Sequence, residues 1–221
     1  RRGKFYLLDN QNMIKALIKD EGWALKKEIQ ITDITDFLDR INSSVSPQRA
    51  NKYLAYIKAL FNYGKRLRFI TDNPANYISK YPENREPKRI PSHDEVAAVM
   101  RLCTHEQQDY LWTLAFTAAR CGEINSLKVT DVDMDRNSLT LGTRKSKDGH
   151  IVYRNINMGI TLREIIERRI TAAKEAHSEY VFFNSRTGKP FRYRSKFLHN
   201  KCRKAKIEPF TYHSLRHFAS V

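Results

Sequence analysis

Three short stretches of this 221-residue chain carry side chains suited to handling a phosphate ester. They are Arg120 with Glu123, the run Arg144-Lys145-Ser146-Lys147, and His213 with Arg216 and His217. A phosphodiester exchanging one ester oxygen for another builds negative charge on its non-bridging oxygens. Guanidinium groups match that charge with forked donors and stay protonated at any working pH. Arg120 and Arg216 suit this role. The incoming hydroxyl must lose a proton, and an imidazole accepts one near neutrality. His213 lies three residues before Arg216, so on a helix both project to the same side. The departing oxygen needs a proton, which a lysine can supply. Lys145 and Lys147 are two apart and share one face of a strand. Glu123, three residues after Arg120, is placed to hold or orient a cation. Such a set requires no metal and no other cofactor. His217 is read as a packing or hydrogen-bonding partner and not as a proton carrier.

These groups need elements to hold them. Residues 32–41 place Ile34, Phe37, Leu38 and Ile41 on one helical face. Ser46-Pro47 is a helix start, with serine as cap and proline at the first helical position. The helix that follows sets Tyr53, Leu54, Ile57, Leu60 and Phe61 against basic residues including Lys52, Lys58 and Lys65. Residues 82–91 hold three prolines amid charges and almost nothing apolar, which reads as a linker. Ser92-x-x-Glu95 predicts a capping box. Leu111, Leu114, Ala115 and Ala118 line a further helix, expected to end over Arg120-Cys121-Gly122 with glycine as the stop. From residue 138 the period changes: Leu139 and Leu141 alternate with polar residues and Asp148-Gly149 predicts a hairpin turn. Thr161-x-x-Glu164 is expected to cap another helix. The expected organisation is a helical domain over 1–81, a linker over 82–91 and a larger domain over 92–221.

Charge narrows the partner. Lys and Arg number 40 against 24 Asp and Glu, a formal net charge of +16. A chain so cationic repels itself unless it meets polyanions. Residues 186–206 contain nine basic residues and no acidic one, with Phe191, Tyr193 and Phe197 interleaved. That is the footprint of a nucleic-acid backbone partner. The expected contacts are Arg186, Lys189, Arg192, Arg194 and Lys196, with Arg144 and Lys147 from the hairpin and Lys52, Lys58 and Lys65 from the first domain. No stretch approaches the roughly 18 apolar residues of a membrane span, so no membrane partner is expected. The three cysteines are odd in number and widely spaced, which disfavours a disulfide scaffold or a zinc site. Asp131-x-Asp133-x-Asp135 imitates a calcium loop, but Arg136 and Gly142 occupy the positions that need glycine and glutamate.

The motifs also carry a family resemblance. Thr117-Ala118-Ala119-Arg120-Cys121-Gly122-Glu123-Ile124 resembles the T-G-x-R-x-x-E-[IL] box of the tyrosine recombinases, the phage-integrase family. His213-Ser214-Leu215-Arg216-His217 resembles the H-x-L-R-H box of the same family, and a lysine in an intervening hairpin completes the order. Asn73-Pro74-Ala75 before the linker is similar to the end of the family's core-binding domain. The resemblance spans nearly the whole chain. It implies a mainly α fold with a small antiparallel sheet: a helical core-binding domain followed by a mixed α/β catalytic domain, the two clamping duplex DNA.

It also implies catalytic roles for Arg120, Lys145, His213 and Arg216, with Glu123 and His217 supporting them. The family's spacing selects Lys145, while closeness to the turn would select Lys147. The implied reaction is site-specific recombination through a 3′-phosphotyrosyl intermediate, in a phage or mobile element of a prokaryotic cytoplasm. Three departures stand out: Ala118 replaces glycine, Asn157 replaces proline, and no tyrosine follows the second box within the sequence, which ends at Val221. This chain is therefore expected to be a fragment that binds DNA without cleaving it, monomeric when free, from a parent that forms a tetramer on DNA. Two other readings stand beside it: a DNA-binding module without catalysis, which shares the basic surface, and an enzyme like the type IB topoisomerases, which shares the chemistry.

Overall fold

The computed structural model describes all residues except 1–3, 20, 21, 27, 85, 86, 88, 144–149, 192, 193 and 219–221, with backbone alone for 4–7, 19 and 195. It divides into two compact units, Arg1–Glu86 and Pro87–Val221. The fold is mainly α with one small antiparallel sheet.

The first unit is helical. Helix α1 spans Lys4–Lys19, α2 spans Ile31–Ser44 and α3 spans Pro47–Arg66. The predicted start of α3 is present: the Ser46 hydroxyl accepts from the Arg49 amide at 3.2 Å, and Pro47 opens the helix. Leu17, Ile34, Leu38, Leu54 and Ile57 are fully buried and form the core. Asn73 fixes the chain after α3, where its side-chain amide donates to the Lys58 carbonyl and its oxygen accepts from the Ala75 amide.

Both ends of the expected linker are bound to folded structure. The Asn51 side chain pairs with the Tyr81 backbone in both directions at 2.9 Å and reaches Glu83 at 2.8 Å. At the other end Arg89 bonds Glu95 and Glu208, and Pro91 is buried.

The second unit opens with α4, His93–Arg101, whose Ser92/Glu95 capping box forms as expected. Helix α5, His105–Thr117, is largely buried, with Tyr110 and Leu114 at the centre of the core. Its end corrects the expectation of a glycine stop beyond Arg120. It stops at Thr117 because Ala118 turns into the left-handed region at φ +45°. Gly122 instead lies inside a new short helix, α6, Cys121–Asn125.

Strands β1 (Val132–Asp133), β2 (Ser138–Thr143) and β3 (Val152–Asn157) form the sheet in that order. Leu139 pairs with Ile156, Leu141 with Arg154 and Thr143 with Val152. The predicted Asp148-Gly149 turn lies outside the described residues, between the paired ends of β2 and β3. Helix α7, Ile160–Glu175, begins after Gly159 without a side-chain cap, so Thr161 sits inside it and not at its entrance. Helices α8 (Ser195–Lys204) and α9 (Tyr212–Phe218) complete the unit. Leu198 and Leu215 anchor them in the core.

Candidate phosphate-binding site

Arg120 occupies the turn between α5 and α6. The left-handed Ala118 redirects the chain so that Arg120 becomes the cap of α6. Its backbone amide donates to Glu123 Oε2 at 3.1 Å, as the capping box of a short helix requires. Its guanidinium returns to the same carboxylate, with Nη1 2.9 Å from Oε1 and 3.2 Å from the Thr143 hydroxyl. The backbone and side chain of one residue are therefore fixed by one acid.

That acid serves a second arginine. Arg154 Nη2 lies 2.8 Å from Glu123 Oε2. The Glu123 side chain is 5% exposed, against 41% for Arg120 and 34% for Arg154, so the carboxylate lies beneath its two partners. Burial pushes the Glu123 carboxyl up. Hydrogen bonds from Arg154, from the Arg120 amide and guanidinium and from Thr143 outweigh it and hold the pKa at about 2. Glu123 is thus charged throughout the neutral range. One negative charge meets two positive ones, and the surplus stays at the surface.

Sequence reasoning placed Arg120 and Glu123 but passed over Thr143 and Arg154. A signal was present: Arg154 shares strand parity with Ile156, whose partner Leu139 is buried. An arginine at an inward position of a half-buried strand needs a buried acid to meet it.

The second motif lies on α9. Leu215 packs into the core between Tyr110-bearing α5 and the rest of the unit, which leaves His213 exposed and Arg216 and His217 half-buried. The two imidazoles meet one turn apart, Nε2 to Nε2 at 3.1 Å, with ring centroids 4.5 Å apart. One nitrogen donates and the other accepts, so a hydrogen bond links His217 to His213 along one face of α9. Tyr212 is a packing residue: its hydroxyl donates to the Arg194 carbonyl at 2.9 Å, and burial pushes it above the ordinary tyrosine range.

Lys145, Lys147, Arg144 and Arg192 lie outside the described residues. Arg186 and Lys189 are exposed on a turn closed by Asn184 and Gly188, and Lys196 is exposed on α8. Arg194 is placed differently. It is 10% exposed, forms a two-pronged ion pair with Glu106 at 2.9 and 3.0 Å, and stacks 3.8 Å from the Phe191 ring centroid. Its guanidinium holds the loop before α8 instead of facing solvent.

In the first unit Lys52 pairs with Asp9 at 2.6 Å and Lys65 with Asp72 at 3.5 Å. Both pairs are exposed, and such pairs exchange readily for a competing anion. Lys58 donates to the Ile78 carbonyl at 3.0 Å and braces the segment after Asn73.

Two of the three aspartates of the calcium-like stretch close turns. Asp131 accepts from the Lys128 amide and Asp133 from the Arg136 amide. Cys103, Cys121 and Cys202 are free thiols. No helix among the described residues is long and apolar enough to cross a membrane.

The fold has counterparts among solved structures. A lambda integrase dimer bound to a COC′ core site superposes with a TM-score of 0.79 at 17% identity, over 100% of this chain and 82% of that one. The Tn1549 transposon integrase bound to transposon right-end DNA gives 0.76 at 16% identity, over 99% and 80%. A protein of Escherichia coli (strain K12) described as the defective protein IntQ is 24% identical over 149 residues. That match takes in 64% of this chain, which spans about a third (36%) of the length of that relative. Residues 90–221, more than half of the sequence and including both arginine motifs, match the phage integrase family. By that match the chain belongs to the phage integrase family.

Proposed function

We propose that this chain is the DNA-holding and phosphate-activating part of a site-specific DNA recombinase. It grips duplex DNA through its cationic surface and seats one backbone phosphate on Arg120 and Arg216. His213, oriented by His217, accepts the proton of the attacking hydroxyl. Lys145 delivers a proton to the departing oxygen. The attacking group in this chemistry is a tyrosine that becomes linked to the 3′ phosphate. Helical residues over 1–81 form a DNA-binding domain joined through 82–91 to the catalytic domain.

The observation that carries this reading is the Glu123 clamp. A part-exposed arginine fixed at both backbone and guanidinium by one buried acid that is charged at neutral pH is pre-organised for an oxyanion. The relatives support the partner: the lambda integrase has been seen as a dimer on a core site and as a tetramer on a Holliday junction.

The test is equilibrium binding to a duplex across a salt series. Each phosphate neutralised contributes about 0.9 to the slope of log K against log salt. The chain should bind with a steep slope, and Arg120→Gln and Arg216→Gln should each flatten it by about 0.9. A slope near zero, or one that neither substitution changes, would remove the basis for the proposal.

A further inference from the structure

The proposed chemistry uses Arg120 and leaves Arg154 unassigned, although the same buried carboxylate holds both. We infer that Arg154 is a second guanidinium of the Arg120 phosphate seat and contacts the same DNA backbone directly. The inference rests on the reading of Arg120 as a phosphate contact and adds a residue to it.

The geometry argues for contact. Glu123 divides its oxygens: Oε1 takes the Arg120 guanidinium, and Oε2 takes Arg154 Nη2 and the Arg120 amide. The two guanidiniums thus lie side by side across one carboxylate. The acid lies beneath them, and both arginine side chains remain part-exposed. A simple buried ion pair would need one arginine per acid. Two arginines over one acid leave a net positive charge at the surface, which an external anion can balance.

Each guanidinium has five N–H donors. The bonds to Glu123 and Thr143 involve Nη1 of Arg120 and Nη2 of Arg154. Donors of both residues are therefore left over for an oxyanion, and two adjacent forks suit the two non-bridging oxygens of a phosphodiester. Strand β3 fixes the placement, since pairing of Arg154 with Leu141 sets its side chain on the same sheet face as Thr143.

The test compares duplex binding across salt for the 221-residue chain and the variants Arg120→Gln, Arg154→Gln and the double variant. Direct contact predicts that Arg154→Gln lowers the slope by about 0.9, and that the double variant lowers it by about 1.8 because the losses add. Over a fourfold rise in salt, each lost contact makes the drop in affinity smaller by roughly 3.5-fold. If Arg154→Gln leaves the slope unchanged while Arg120→Gln lowers it, Arg154 is structural and the inference is wrong. The inference fails equally if the double variant matches Arg120→Gln alone, since Arg154 would then act only through Arg120. If neither single variant moves the slope, the phosphate seat itself fails.

Should Arg154→Gln not fold, the pair Glu123→Gln and Glu123→Gln/Arg154→Gln replaces it, because no buried carboxylate is then left facing a missing partner. The inference again predicts a difference of about 0.9 between the two, and equal slopes overturn it.

Discussion

Glu123 governs the electrostatics of the site because it is the one member of the cluster removed from water. Its carboxyl is held at about 2, below the ordinary 4.5, by partners that exist only in the folded chain. The lowered value fixes the sign of the pH effect. The folded state binds this proton less readily than the unfolded state, so the stabilisation is complete above about pH 4.5 and is lost as pH falls toward 2. Glu123→Gln should cost about 2 kcal/mol at pH 7 through lost charge-assisted hydrogen bonds. Denaturant unfolding at pH 7, 5 and 3 should show the gap between native and variant narrowing in the most acidic sample. A constant gap would mean that the carboxylate is not the source. At this scale the sequence was informative about residue type and mute about pairing. Arg120, Glu123, His213 and Arg216 stand in motifs that can be read in one dimension. The partnership of Glu123 with Arg154 crosses 31 positions and could not.

Two joints between elements decide where the functional side chains point. The first is Ala118, an L-residue with a Cβ in the left-handed region at φ +45°. Its strain is the cost of ending α5 early enough to make Arg120 a cap. Ala118→Gly should therefore stabilise the chain by about 1 kcal/mol, read as a higher urea midpoint with an unchanged slope. A lower midpoint would show that the turn is not strained. The second joint is the loop into α8, pinned by Arg194 against Glu106 and Phe191. Composition put Arg194 among the DNA contacts because its neighbours are basic. Burial distinguishes it, and burial is a tertiary property. Arg194→Gln should cost about 2 kcal/mol by removing its charge-assisted hydrogen bonds to Glu106, while the salt dependence of DNA binding keeps its slope. A slope flattened by about 0.9 would return Arg194 to the phosphate contacts. The helix ends show the same division: the Ser46 and Ser92 caps form as read, whereas Thr161 lies inside α7 because Gly159 takes the turn.

Across the whole molecule, a formal charge of +16 sits on two units, each closed around its own apolar core. Asn51 ties residues 81–83 to the first unit and Arg89 ties the chain to the second. Limited trypsin digestion should therefore give two fragments, one for each unit, that persist while longer digestion proceeds. Early cleavage within α3 or α5 would contradict two separately closed units.

The sequence by itself determined the family, the cationic character of the chain and most helix starts. Those depend on residue type and short spacing, and side chains within a turn of each other interact whatever the rest of the chain does. Tertiary structure alone decided which basic residues face outward, which strand residue joins Arg120 on Glu123, and that this partner is a second arginine. Those properties depend on contacts of β3 with α6, and of the loop before α8 with α5, and no local pattern encodes the burial that makes one charge structural and leaves its neighbour exposed.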